Sequence, residues 1–63
     1  MREIKLNEVG KTKPLILPIR EIRGYYRDVY TGENKVQTAD KEYVVRDSTT
    51  EISYLIGVNK WFL

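Results

Sequence analysis

The chain contains neither cysteine nor histidine. Without cysteine no disulfide and no thiolate metal site can form. Without histidine the commonest metal ligand and the commonest acid–base catalyst are both missing. Glycine is sparse and scattered at Gly10, Gly24, Gly32 and Gly57, so there is no glycine-rich loop to cradle a phosphate. Proline occurs only at Pro14 and Pro18. Apolar runs such as Leu15-Ile16-Leu17 fall far short of the roughly 20 residues of a membrane span. The opening MREIKLNE sets charges among its apolar residues and lacks the apolar core of a signal peptide. These absences lead to the expectation of a soluble, cytoplasmic protein that makes no membrane contact.

The same absences narrow the chemistry. Catalysis needs a nucleophile with an activating base, carboxylates with separated pKa values, or a metal. Ser48 remains as a nucleophile, but its position fits a helix cap. Asp40 and Glu42 flank a tight turn, where a solvated role is the simpler account. A pocket for a small molecule would also consume most of so small a core. The expectation is a protein that is not an enzyme and binds no cofactor or metal.

What is present is a short chain of 63 residues, 41% hydrophobic and 32% charged. That length allows one domain, and the balance argues for a folded one. A domain of this size buries only about 60% of the surface its unfolded chain exposes. With disulfides and thiolate metals excluded, self-association is the remaining remedy, and a homo-oligomer is expected. Net charge is +2, too small to imply nucleic acid by itself. It is unevenly spread: residues 1–27 carry seven Lys/Arg against three Glu, and residues 28–63 carry four against six acids.

Periodicity gives the outline. Arg2-Glu3-Ile4-Lys5-Leu6 alternates, predicting a strand that turns Ile4 and Leu6 to a core. Asn7 to Pro14 has the composition of a connection, and Leu15 to Leu17 reads as a short strand closed by Pro18, suited to an edge. Ile19 to Tyr30 is ambiguous. Its apolar residues fall near a helical period, yet Gly24 and the Tyr25-Tyr26 pair favour a turn at 19–21 and a strand from about Ile22 to Val29. Thr31 to Asn34 has turn chemistry, and a hairpin follows from Lys35–Thr38 to Glu42–Arg46 across Ala39-Asp40-Lys41. Ser48-Thr49-Thr50-Glu51 is a capping box. Asp47 beside it suits the positive end of the helix dipole. Ile52, Leu55 and Ile56 form the apolar stripe of the helix, and Gly57 is expected as its left-handed stop. The end Trp61-Phe62-Leu63 is apolar, so it either folds back onto the core or docks on a second subunit or partner. The fold class predicted is α+β: a twisted antiparallel sheet of four to five strands with one C-terminal helix.

One constellation has a functional character: Arg20, Arg23, Tyr25, Tyr26, Arg27 and Tyr30, with Lys11 and Lys13 upstream. Arginine and tyrosine are enriched at protein–protein hot spots, and basic side chains beside aromatics also serve single-stranded nucleic acids. The competing account places two of the three tyrosines in the core and leaves the arginines solvated. Trp61 and Phe62 complete the candidate partner-binding residues.

Residues Ile4 and Leu6, Leu15 to Ile19, Ile22, Val36, Thr38, Asp40, Tyr43-Val44-Val45, Asp47-Ser48, Glu51-Ile52 and Ile56 together resemble the small flagellar and swarming-motility protein family, a label also carried by many small bacteriophage proteins. The turn before the last strand differs, with Asp40-Lys41 in place of Asn-Gly or Asp-Gly, and the Trp61 end is an addition. The strand-strand-cap-helix end also looks like a fragment of the all-β DNA-binding domain of some response regulators. The first resemblance implies a small non-catalytic regulatory module and transfers no functional residue. The reading is of a regulator that binds a larger protein, as a phage or prophage modulator or inhibitor of a host system. A small nucleic-acid-binding transcriptional regulator and an oligomeric structural module are the alternatives.

Overall fold

A computed structural model describes the backbone of residues 2–61 and the side chains of residues 2–58. Five strands precede one helix: β1 (Glu3–Leu6), β2 (Leu15–Pro18), β3 (Ile22–Arg27), β4 (Asn34–Thr38), β5 (Glu42–Val45) and α1 (Thr49–Trp61), with a 3₁₀ turn at Ile19–Glu21 leading into β3. The class is α+β, as the sequence indicates. The strands divide between two antiparallel sheets, β1-β2 and β3-β4-β5, so no single sheet reaches four.

A seam joins the two sheets. Beyond Leu6 the chain continues alongside β5, where Glu8 bridges Val45. The Val9 N–H donates to the Val44 carbonyl at 2.9 Å, and the Arg46 N–H to the Asn7 carbonyl at 2.7 Å. The spatial order is thus β2-β1-β5-β4-β3, with α1 packed on β1 and β3. Asp47 fastens the seam: its carboxylate accepts the Asn7 backbone N–H at 2.6 Å and the Asn7 side-chain amide at 3.3 Å. Asp47 is buried, at 8% exposure. Its principal structural partner is therefore the end of β1, a role additional to the dipole one expected.

Alternation builds the core. Ile4 and Leu6 from β1, Leu17 from β2, Val36 from β4, Val45 from β5 and Ile52 from α1 are buried together. Tyr25, Tyr43, Leu55 and Ile56 pack around them, half-buried. The Ser48 hydroxyl accepts the Glu51 N–H and the Glu51 carboxylate accepts the Ser48 N–H, each at 3.2 Å, closing the capping box.

Gly57 does not end the helix, which runs on to Trp61. The left-handed glycines are Gly10 and Gly32, so Gly57 stays in the right-handed ladder at about 1 kcal/mol relative to alanine. The two alternatives for the apolar end concern the Trp61 side chain, Phe62 and Leu63, all outside the described residues.

Pro14, just before the second strand, and Pro18, its last residue, sit where they cost its ladder nothing. Ile19 N–H donates to the Arg2 carbonyl at 3.0 Å. With Leu17 opposite Ile4, the odd-numbered amides of β2 then face β1 and the even ones face out. Pro14 and Pro18 both fall on outward positions, leaving Ile16 as the one N–H between them on that edge.

Candidate functional site

The β3–β4 hairpin carries most of the residues singled out in the sequence. Arg23 is bulged: Ile22 pairs with Thr38 and Gly24 with Gln37, so β3 spends one extra residue. From Gly24 onward the strand alternates strictly. Tyr25 faces inward and packs against the core. Tyr26 faces outward at 39% exposure. The Arg/Tyr constellation is thereby split between two faces of the sheet. Arg20, Arg23 and Arg27 are all exposed, and the Arg23 guanidinium donates to the Arg20 carbonyl at 3.3 Å.

Tyr26 joins a polar network across the outer face. Its phenol donates to Glu42 at 2.8 Å, and the Gln37 side-chain amide donates to the same carboxylate oxygen at 2.9 Å. Lys35 lies between two acids, 3.3 Å from Asp28 and 3.7 Å from Glu42. The hydrogen bond to Glu42 raises the Tyr26 pKa, and the bonds from Tyr26 and Gln37 lower that of Glu42. The Asp28 hydrogen bond likewise raises Lys35. In the turn before β5 the Lys41 ammonium stands 4.6 Å from the centre of the Tyr43 ring, a cation–π contact.

Strand β3 stops at Arg27, two residues earlier than the sequence indicates, because Asp28 starts a closed loop. Its carboxylate accepts the backbone N–H groups of Tyr30 at 2.8 Å and Thr31 at 3.3 Å, bonds that pull its own pKa down. Gly32 N–H returns to the Asp28 carbonyl at 2.7 Å, and Asp28 N–H donates to the Glu33 carbonyl at 2.8 Å. Gly32 sits at φ +77°, where a side chain would be strained. Thr31 Oγ1 accepts the Glu33 N–H at 3.2 Å. Every turn of this loop is hydrogen-bonded, yet its tip is bare. Val29 is 86% exposed and Tyr30 95%.

No protein-family model, no curated protein and no solved structure matches this chain. Its surface is therefore read from its own geometry. Among the described residues no group of three His, Cys, Asp or Glu side chains is placed to hold a metal. No helix among them is long and apolar enough to cross a membrane.

The hairpin tip thus draws Tyr30 from the expected constellation and adds Val29 and Asp28, which the sequence pattern did not single out, while Arg27 ends the strand that leads to it. A usable signal existed for Asp28: an aspartate four residues before a glycine fits a side-chain-capped loop. Val29 gave none, since a valine beside a tyrosine reads equally well as core.

Proposed function

We propose that this is a small non-enzymatic regulator that binds a larger protein through the tip of the β3–β4 hairpin. The observation that supports it is the exposure of Val29 and Tyr30, at 86% and 95%, on a loop already fixed by its own hydrogen bonds. Leaving such side chains in water contributes nothing to the fold. Burying them in a partner's pocket removes apolar area from water at roughly 25 cal/mol per Å². The preformed loop lowers the ordering cost that binding would otherwise carry. Tyrosine at the tip is the residue type that dominates hot spots. A regulatory module with no catalytic step, such as a phage or prophage product acting on a host assembly, needs no more than this.

Nucleic acid is the less favoured partner. Tyr26, the outward ring, is tied to the carboxylate of Glu42, and Asp28 adds a second acid beside it. A phosphate backbone approaching that face would meet negative charge first.

The test is affinity capture from a bacterial lysate with the wild-type chain, Tyr30→Ala and Val29→Ser. A stoichiometric protein retained by the wild type and lost by both variants, with unfolding midpoints unchanged, supports the reading. Equal retention by all three, or capture that falls steeply with salt and depends on nucleic acid, refutes it. Light scattering on the free protein separates self-association through the same tip.

A further inference from the structure

Among the described residues the edge of β3 away from β4 is unpaired. Asp28 N–H bonds the Glu33 carbonyl, and Tyr26 pairs with Lys35 and Gly24 with Gln37, which sets the ladder phase. Gly24 and Tyr26 direct their backbone groups at β4, and Tyr25 and Arg27 direct theirs away. Among the described residues no strand pairs with that side. An edge of this kind offers N–H and C=O groups at the spacing an extended chain can satisfy.

Beside the edge runs a groove of 240 Å³ between β3 and α1, lined by Ile19, Ile22, Arg23, Gly24, Tyr25 and Ile56. Its lining mixes the apolar side chains of Ile19, Ile22 and Ile56 with polar surface, and Arg23 contributes to it. A strand edge flanked by a helix is the geometry in which a bound peptide adds to a sheet and sends alternate side chains into the groove.

Charge identifies the occupant. Arg20, Arg23 and Arg27 are exposed along this strand and the turn before it. The ion pairs among the described residues all belong to Lys35, so none of these arginines is ion-paired, though Arg23 also borders a cleft with Asp40 and Glu42. Glu21 is the one carboxylate in the segment from 19 to 27. A second copy pairing here would bring three more guanidiniums to the same seam and be repelled. An acidic strand would be attracted, and one set of charges would then both reject the wrong partner and select the right one.

We infer that the unpaired edge of β3, with the groove between it and α1, takes up an extended acidic segment of a partner protein as an added strand. This site is separate from the hairpin tip and stands or falls apart from it.

The probe is a short synthetic peptide alternating glutamate and valine, with a lysine–valine peptide of the same length as control. Both are titrated into the full-length ¹⁵N-labelled protein. The acidic peptide is expected to shift the Tyr25 and Arg27 amides and slow their hydrogen exchange, with an affinity that falls as salt rises. The Arg23→Gln/Arg27→Gln pair should weaken it roughly tenfold. Arg27→Pro removes an outward N–H while sparing the β3–β4 ladder, and should lose more binding than Arg27→Gln; a well-dispersed spectrum confirms that it folds. Tyr30→Ala should leave this affinity unchanged. Equal binding of the lysine peptide, shifts confined to the 28–33 loop, or no binding of either peptide at millimolar concentration would overturn the inference.

Discussion

Removing the Asp47 carboxylate should open the seam between the two sheets. Asp47→Ala deletes a charged acceptor that is 8% exposed and takes the Asn7 N–H at 2.6 Å. A hydrogen bond to a charged group contributes about 1.5–3 kcal/mol net. The second contact, at 3.3 Å from the Asn7 side chain, adds little. The expected loss is about 2–3 kcal/mol. At roughly 0.05–0.15 kcal/mol per residue, a 63-residue domain has about 3–9 kcal/mol in all, so this one group carries a large share. Urea unfolding reads it directly. With a slope near 1 kcal/mol per molar for so small a protein, the midpoint should fall by about 2–3 M. Asn7→Ala keeps the backbone donor and should cost under about 0.5 kcal/mol. Asp47→Asn keeps an acceptor without the charge and should fall between the two. Loss of the favourable helix-dipole contact would account for at most about 1 kcal/mol and would fade at high salt. A midpoint shift below about 0.5 M for Asp47→Ala, or a loss abolished by salt, would refute the reasoning.

Other perturbations follow from the same packing. Ile52→Ala empties a fully buried position and should cost about 2–5 kcal/mol, enough to leave much of the population unfolded by circular dichroism at room temperature. Ser48→Ala removes one half of the capping box and should lower stability by about 1 kcal/mol, and Glu51→Ala in the same background should add less than it does alone, because the two bonds act as one motif. Acid should loosen the hairpin loop only once Asp28 protonates. Asp28 and Glu42 are held below their ordinary values of 3.8 and 4.5. A carboxyl lowered in the folded state stabilises fully above its unfolded value and loses that contribution as pH falls through the lowered one. The Tyr30 and Thr31 amide resonances should therefore titrate with a midpoint below 3.8; one at or above it would contradict the assigned bonds. Tyr26 runs the other way: its pKa is raised, so its contribution is intact below 10.0 and disappears as pH rises through the raised value.

What could be read from the sequence was what local rules decide. The Ser48–Glu51 cap, the alternation that buries Ile4 and Leu6, and the Thr38–Glu42 turn each depend on residues within a few positions of one another. The seam could not be read, because Asn7 and Asp47 are 40 residues apart and neither carries a pattern that names the other. Nor could the division into two sheets, which follows from the chain crossing from β2 to β5 at residues 7–9. Gly57 shows a local rule overruled: glycine permits a left-handed stop without imposing one, and the helix continues. The mixed signal of residues 19–30 had a physical origin. The segment is a 3₁₀ turn, a bulged strand and a capped loop in succession, and so obeys no single period. Tyr25 and Tyr26 looked like one surface until the pleat placed them on opposite sides.

Pro14, just before β2, and Pro18, its last residue, bear on how this molecule can assemble. A cross-β filament grows only if each subunit offers a receptive margin on both flanks, one to accept the previous copy and one to receive the next. On the β2 flank Pro14 and Pro18 have removed all but one amide from the outward row. Copies of this chain therefore cannot stack edge to edge through that flank, and a filament built of repeated β2 contacts is disfavoured.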